Sequence, residues 1–126
     1  MTRLLIADDA PFIREIVRTV AEKNGLHLVG EAVDGVDAVA QALALKPDVI
    51  LMDIIMPRKS GIEATKEILS KMPGVKIIAF STADQEMMVM RALEAGCCSY
   101  LSKPFKAEDL LETIRSALED TGASQE

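Results

Sequence analysis

Asp53 ends the apolar run Val49-Ile50-Leu51-Met52 and is followed by Ile54-Ile55-Met56-Pro57. A short aliphatic run that stops at a carboxylate reads as a buried strand delivering one charge to the edge of a sheet. The first such run, Leu4-Leu5-Ile6-Ala7, stops in the same way at Asp8-Asp9. If the two strands are parallel neighbours, three carboxylates share one pocket, and like charges held that close require a cation. Oxygen ligands suit a hard divalent ion, and two or three carboxylates that leave room for water and a phosphate fit Mg²⁺ better than a closed calcium cage. Two further strand-type runs end in polar groups: Ser81 after Ile77-Ile78-Ala79-Phe80, and Lys103 after Tyr100-Leu101-Ser102. A carboxylate nucleophile, a cation to neutralise phosphoryl oxygens, and a lysine and a hydroxyl to hold the others are the components of phosphoryl transfer onto aspartate.

Each of these residues has an ordinary alternative. Asp9, ahead of Ala10-Pro11, could cap a helix. Ser81 and Thr82 compete to cap the helix after them, and Lys103 could be a solvated surface lysine. Asp53 has the weakest alternative, because an unpaired carboxylate closing a buried strand costs stability. His27, the single histidine, lies on an edge strand and is expected to be inert. The adjacent Cys97 and Cys98 read as small buried thiols at a strand entry, with neither a disulfide framework nor zinc spacing around them.

These residues need a scaffold that brings strand ends together. Strand-type runs recur near residues 3–8, 27–33, 48–53, 75–81 and 98–102, with helix-type segments between them. Five strands alternating with helices imply right-handed crossovers and an α/β fold, a doubly wound parallel sheet covered on both faces by five helices. The first, third and fourth runs are nearly all aliphatic, as central strands are, and the second and fifth are mixed, as edges are. The strand order 2-1-3-4-5 satisfies this and opens a crevice at the carboxyl ends of strands one and three.

The helices carry their own start and stop signals. The first has Pro11 in its first turn, an inward stripe of Phe12/Ile13, Ile16/Val17 and Val20/Ala21, and Asn24-Gly25 as its stop. The second follows Asp34-Gly35 with Val36, Val39/Ala40 and Leu43 inward, and Lys46-Pro47 ends it. Ser60-Gly61-Ile62-Glu63 is a capping box for the third, with Ile62, Ile68/Leu69 and Met72 inward. Thr82-Ala83-Asp84-Gln85 offers the same for a fourth helix ending at Gly96, and the fifth spans about 107–119 with Leu110/Leu111, Ile114 and Leu118 inward.

The chain has 126 residues and a formal net charge of -6, enough for one domain over residues 1–120 with a flexible tail over 121–126. The acidic balance, with scattered Lys and Arg, disfavours nucleic acid. No apolar stretch approaches the ~20 residues of a membrane span, and the start is too short and acidic for a signal peptide, so a cytoplasmic protein without membrane insertion is expected.

Together, Asp8-Asp9, the segment from Val49 through Asp53 to Pro57 with Gly61, Ser81, and Lys103-Pro104-Phe105 resemble the receiver domain of two-component response regulators, of the single-domain chemotaxis type. The resemblance runs over essentially the whole chain and includes Ala95-Gly96 and Tyr100. Its flavodoxin-like 2-1-3-4-5 order is that of chemotaxis receivers, so the order adds no independent support. The resemblance implies that Asp53 accepts a phosphoryl group from a phosphohistidine on a partner histidine kinase. It implies that Asp9, Asp53 and the backbone carbonyl of Ile55 bind Mg²⁺ directly, with Asp8 acting through water. It implies that Lys103 pairs with a phosphoryl oxygen, and that Ser81 moves to bond another and lets Tyr100 rotate inward. The Lys103-Pro104 peptide would be cis. The protein would be a monomeric signalling switch rather than an enzyme, passing its signal through the face of the fourth helix, fifth strand and fifth helix to a protein target such as the flagellar switch.

Some positions depart from the commonest family pattern. Thr82 stands where Ala or Gly is usual, which narrows access to Asp53. Ile55 and Ala83 cannot hold a hydrolytic water, which implies a persistent phosphorylated state. Arg58-Lys59 places two charges where the second position is usually apolar, and both are expected to be solvated. Met87, Met88 and Met90 on the fourth helix divide between core and a soft output surface. Three rival readings remain. An aspartate-nucleophile phosphohydrolase generally has a second Asp where Ile55 stands, and a flavin module would be repelled by Asp8-Asp9. The third is a receiver cut from a longer regulator.

Overall fold

The computed structural model describes residues 1–82 and 84–119. Five strands and five helices alternate: β1 Arg3–Ala7, α1 Pro11–Lys23, β2 His27–Ala32, α2 Gly35–Leu45, β3 Val49–Asp53, α3 Gly61–Lys71, β4 Lys76–Ser81, α4 Glu86–Ala95, β5 Ser99–Ser102 and α5 Ala107–Glu119. The sheet is parallel throughout, in the order β2-β1-β3-β4-β5. No helix among the described residues is long and apolar enough to cross a membrane.

Alternation along the central strands divides the core in two. Leu5, Ala7, Ile50, Met52, Ile77 and Ala79 lie in one buried cluster with residues of α2, α3 and α4. Leu4, Ile6, Val49, Leu51, Ile78 and Phe80 lie in the other with α1 and α5. Each Leu, Ile, Val, Met or Phe among them contributes about 1.5–3 kcal/mol on burial, and the alanines less, which ties the strand registers to the core. Ala7 pairs with Met52, so Asp8 and Asp53 leave the sheet level with one another. Ser81 pairs with Ser102, and Lys103 follows directly.

Helix punctuation follows the sequence signals with three corrections. Asp34 caps α2 by accepting from the Asp37 N–H at 2.8 Å, and Ser60 and Glu63 form the complete capping box of α3. On α1 the buried row is Ile13, Val17, Val20 and Ala21, while Phe12 and Ile16 are exposed, because the stripe that fits the sheet is narrower than the apolar pattern. On α2 the inward residues are Ala38, Val39 and Ala42, with Val36 and Ala40 exposed and Leu43 partly buried. At the start of the helix Gly35 lies against the backbone of Lys59. Of the expected capping box before α4 only half forms: the Thr82 N–H donates to Gln85 Oε1 at 2.9 Å. Thr82 commits its hydroxyl to Asp84, and the helix starts at Glu86 after Gln85, which makes no side-chain cap.

Cys97 is buried as expected but Cys98 is exposed, since successive side chains entering β5 point to opposite faces; neither is in a disulfide. The expected tail, residues 121–126, and Ala83 lie outside the described residues.

Candidate functional site

The carboxyl edge of the sheet gathers the predicted acids and the lysine. Asp8 is fully buried. Its N–H donates to the Ala32 carbonyl at 3.0 Å, its own carbonyl accepts from Arg14 Nη1 at 2.8 Å, and its Oδ1 accepts from the Ala10 N–H at 2.9 Å. Lys103 Nζ stands 2.7 Å from Asp8 Oδ2, an ion-pair distance, yet no hydrogen bond of proper direction reaches that oxygen. Asp8 Oδ2 is thus paired with Lys103 by charge and has room for a further positive partner.

Asp53 is 6% exposed, and Lys103 Nζ lies 3.5 Å from its Oδ1. The Ile55 N–H donates to the same oxygen at a long 3.4 Å. Asp9 is exposed, and one carboxylate oxygen from each of Asp8, Asp9 and Asp53 lies within 4.8 Å of the others. Burial and then the Asp8 carboxylate push the Asp53 carboxyl up to about 7, against the opposing pull of Lys103 and the Ile55 N–H.

An all-oxygen donor set around a buried, unsatisfied carboxylate oxygen fits a hard divalent cation such as Mg²⁺. Lys103 by itself leaves three acids facing one ammonium, so a further positive charge is needed to ionise all three comfortably.

Lys103 is placed by its own backbone, whose N–H donates to the Ser81 carbonyl at 2.7 Å. The Lys103-Pro104 peptide is cis, as expected, and Phe105 packs on Phe80 with ring centroids 5.3 Å apart. Ser81 is buried, and Tyr100 is 51% exposed. The two line one groove between α4 and β5 together with Thr82, Val89 and Met90. Ile55 lies half exposed at the rim. Met87 and Met90 are exposed, at 70% and 59%, and Met88 packs into the core.

The structure overturns the expectation that Arg58 and Lys59 are simply solvated. Arg58 Nε donates to Asp34 Oδ2 at 2.7 Å, and Lys59 pairs with Glu67 on α3. Sequence reasoning also missed Arg14, which clasps the Asp8 carbonyl and lies 3.5 Å from Glu31. Its spacing within α1 is compatible with that reach, but a surface arginine has many possible partners.

A family description, the response regulator receiver domain, matches residues 4–115. The chain is 46% identical over 116 residues to the uncharacterized transcriptional regulatory protein YxjL of Bacillus subtilis, covering 91% of this chain but only 53% of that protein. It is 41% identical over 112 residues to the chemotaxis protein CheY of Thermotoga maritima, covering 89% of this chain and 93% of that one. Among solved structures it superimposes on the receiver domain of the sensor histidine kinase PA1611 from Pseudomonas aeruginosa with a TM-score of 0.85 and 29% identity, over 94% of this chain and 98% of that one. That crystal structure has a magnesium ion coordinated in the active-site cleft.

Proposed function

Since this chain belongs to the response regulator receiver domain family, we propose that it stores a phosphoryl group on Asp53, received from a partner histidine kinase, and relays that state to a protein target. The observation that carries this reading is the buried Asp53 carboxylate, flanked by Asp8 and Asp9 and within 3.5 Å of Lys103. A carboxylate oxygen of Asp53 attacks phosphorus while the bond from phosphorus to the donor's imidazole nitrogen breaks, and the nitrogen keeps the electron pair. Asp9 and Asp53 would hold Mg²⁺ together with the Ile55 carbonyl, and Asp8 would support them from beside the ion. When bound, the ion supplies positive charge to the phosphoryl oxygens. Lys103 pairs with one of those oxygens and Ser81 donates to another.

The same two contacts carry the signal. Charge-assisted bonds from Lys103 and Ser81 favour the active conformer by a few kcal/mol, about what a decisive population shift requires. Ser81 moves toward the phosphoryl group, and Tyr100 turns into the groove they share. The target docks on α4, β5 and α5, where Met87 and Met90 offer soft apolar contact.

Chemotaxis is the output we favour, because the Thermotoga CheY relative matches over nearly its full length. The longer YxjL relative supports a second reading, the receiver portion of a transcriptional regulator. The central claim is tested by incubating the protein with a small phosphodonor, with and without Mg²⁺. Wild type should incorporate one phosphoryl group only with the ion, and Asp53→Asn should incorporate none. Equal labelling of both proteins overturns the assignment.

A further inference from the structure

The loop that follows Asp53 is fastened to α2 by contacts that phosphoryl transfer does not itself require. Arg58 sits at φ 68°, and the Lys59 N–H donates to the Pro57 carbonyl at 2.7 Å. Residues 57–59 thus form a three-residue turn with a long side chain in the left-handed region, at a cost of order 1 kcal/mol. Such a turn persists only where its surroundings impose it.

Here the surroundings are α2 and α3. Arg58 Nε donates to Asp34 Oδ2 at 2.7 Å, while the other oxygen of Asp34 caps α2. A Cβ on Gly35 would stand 1.8 Å from the Lys59 carbonyl oxygen, so the two backbones are in direct contact, and Lys59 pairs with Glu67. The two ends of the loop reach the site. The Ile55 N–H points at Asp53 Oδ1, the Gly61 N–H donates to the Ile54 carbonyl at 2.8 Å, and a Cβ on Gly61 would lie 2.0 Å from the Asp53 carbonyl oxygen.

We propose that the Arg58–Asp34 ion pair is a positioning device for the acidic site: it holds the Ile54–Ser60 loop in its strained turn and so keeps the Ile55 backbone against Asp53. The inference rests on the reading of Asp53 as a cation-assisted phosphoryl acceptor. Magnitudes favour positioning over stabilisation. Arg58 is largely exposed although Asp34 is buried, so solvent screens the pair from the Arg58 side, and the strain of the turn offsets part of what the pair contributes. What the pair decides is where the loop sits, and outer partners that orient ligand groups typically alter metal affinity by about 10- to 100-fold.

Two substitutions separate these effects. Asp34→Asn keeps a capping oxygen for α2 and removes the charge. Arg58→Gly removes the guanidinium and relieves the positive φ. Mg²⁺ affinity of the unphosphorylated protein is measured by titration calorimetry, thermal stability in EDTA by scanning calorimetry, and Asp53 labelling by a small phosphodonor. Each single variant should bind Mg²⁺ about tenfold more weakly, with melting in EDTA within about 3 °C of wild type. The double variant should be no weaker than either single one, since both remove the same contact. Wild-type affinity in the variants, no Mg²⁺ binding by wild type, or losses that add in the double variant and track the melting temperature would each overturn the positioning role. If wild type binds Mg²⁺ but labels no better than Asp53→Asn, the phosphoryl-acceptor reading falls instead, and the affinities still decide the loop.

Discussion

Burial and the Asp8 carboxylate outweigh Lys103 in setting the protonation of Asp53, and this has a measurable thermodynamic consequence. In the unfolded chain an Asp titrates near ~3.9, whereas the folded carboxyl is pushed up to about 7. Between those values the unfolded chain has released a proton that the native protein keeps. The stability tied to this group is therefore fully present below about pH 4, falls as pH rises to about 7, and then levels off. Asp53→Asn removes the effect. In EDTA at pH 8 the variant should resist urea better than wild type by roughly 1–3 kcal/mol, with the difference vanishing near pH 4. A constant difference across that range would show that desolvation does not govern the residue. Asp8, Asp9 and Asp53 were legible in sequence because each closes or follows an aliphatic run, and Lys103 because it follows a short strand-type run just before Pro104; parallel pairing brings such ends together. The Arg58 contact with Asp34 was not legible. It joins residues far apart in the chain through a left-handed turn at a residue type that rarely adopts one.

Among the elements, α4 is the least secured. Gln85 provides no side-chain cap, and Ala92 alone is fully buried on this helix, whereas α3 buries five residues behind a complete capping box. Elements with few buried contacts open locally at low free energy, and moving parts are drawn from that end of the stability scale. Amide hydrogen exchange followed by mass spectrometry should show α4 exchanging ~10- to 100-fold faster than α3 in the unphosphorylated protein. Equal protection would argue against α4 as the element that repacks at the proposed output face. The order of elements and their ends were readable because turns, caps and apolar runs agreed with one another along the chain. Helix faces were less readable. An apolar pattern on α1 or α2 is wider than the strip a sheet can cover, and packing selects Ile13 over Phe12 and Ala38 over Val36. At the start of α4, Thr82 had a nearer partner in Asp84 than the helix it was expected to cap.

At the scale of the whole molecule, the acidic edge of the sheet is a local instability that a cation can reverse. Asp8 Oδ2 is buried without a directed partner, and three carboxylates converge there in a chain whose formal net charge is already -6. An ion that binds only the native site stabilises by RT ln(1 + [ion]/Kd), or ~2.7 kcal/mol at one hundred times Kd. For a domain of this size that corresponds to a rise in melting temperature of roughly 10 °C. Because Asp53 holds its proton up to about pH 7, the ion must displace that proton at lower pH. The rise produced by Mg²⁺ should therefore be larger at pH 8 than at pH 6, and smaller in Asp53→Asn, where one charged ligand is lost. EDTA should abolish it. Screening of the net charge is the competing cause, and it predicts something different: NaCl at matched ionic strength would raise the melting temperature equally, Asp53→Asn would respond like wild type, and the dependence on pH would follow net charge, not a single carboxyl. A response confined to the divalent ion and reduced by one amide substitution would place the stabilisation at the convergence of β1 and β3.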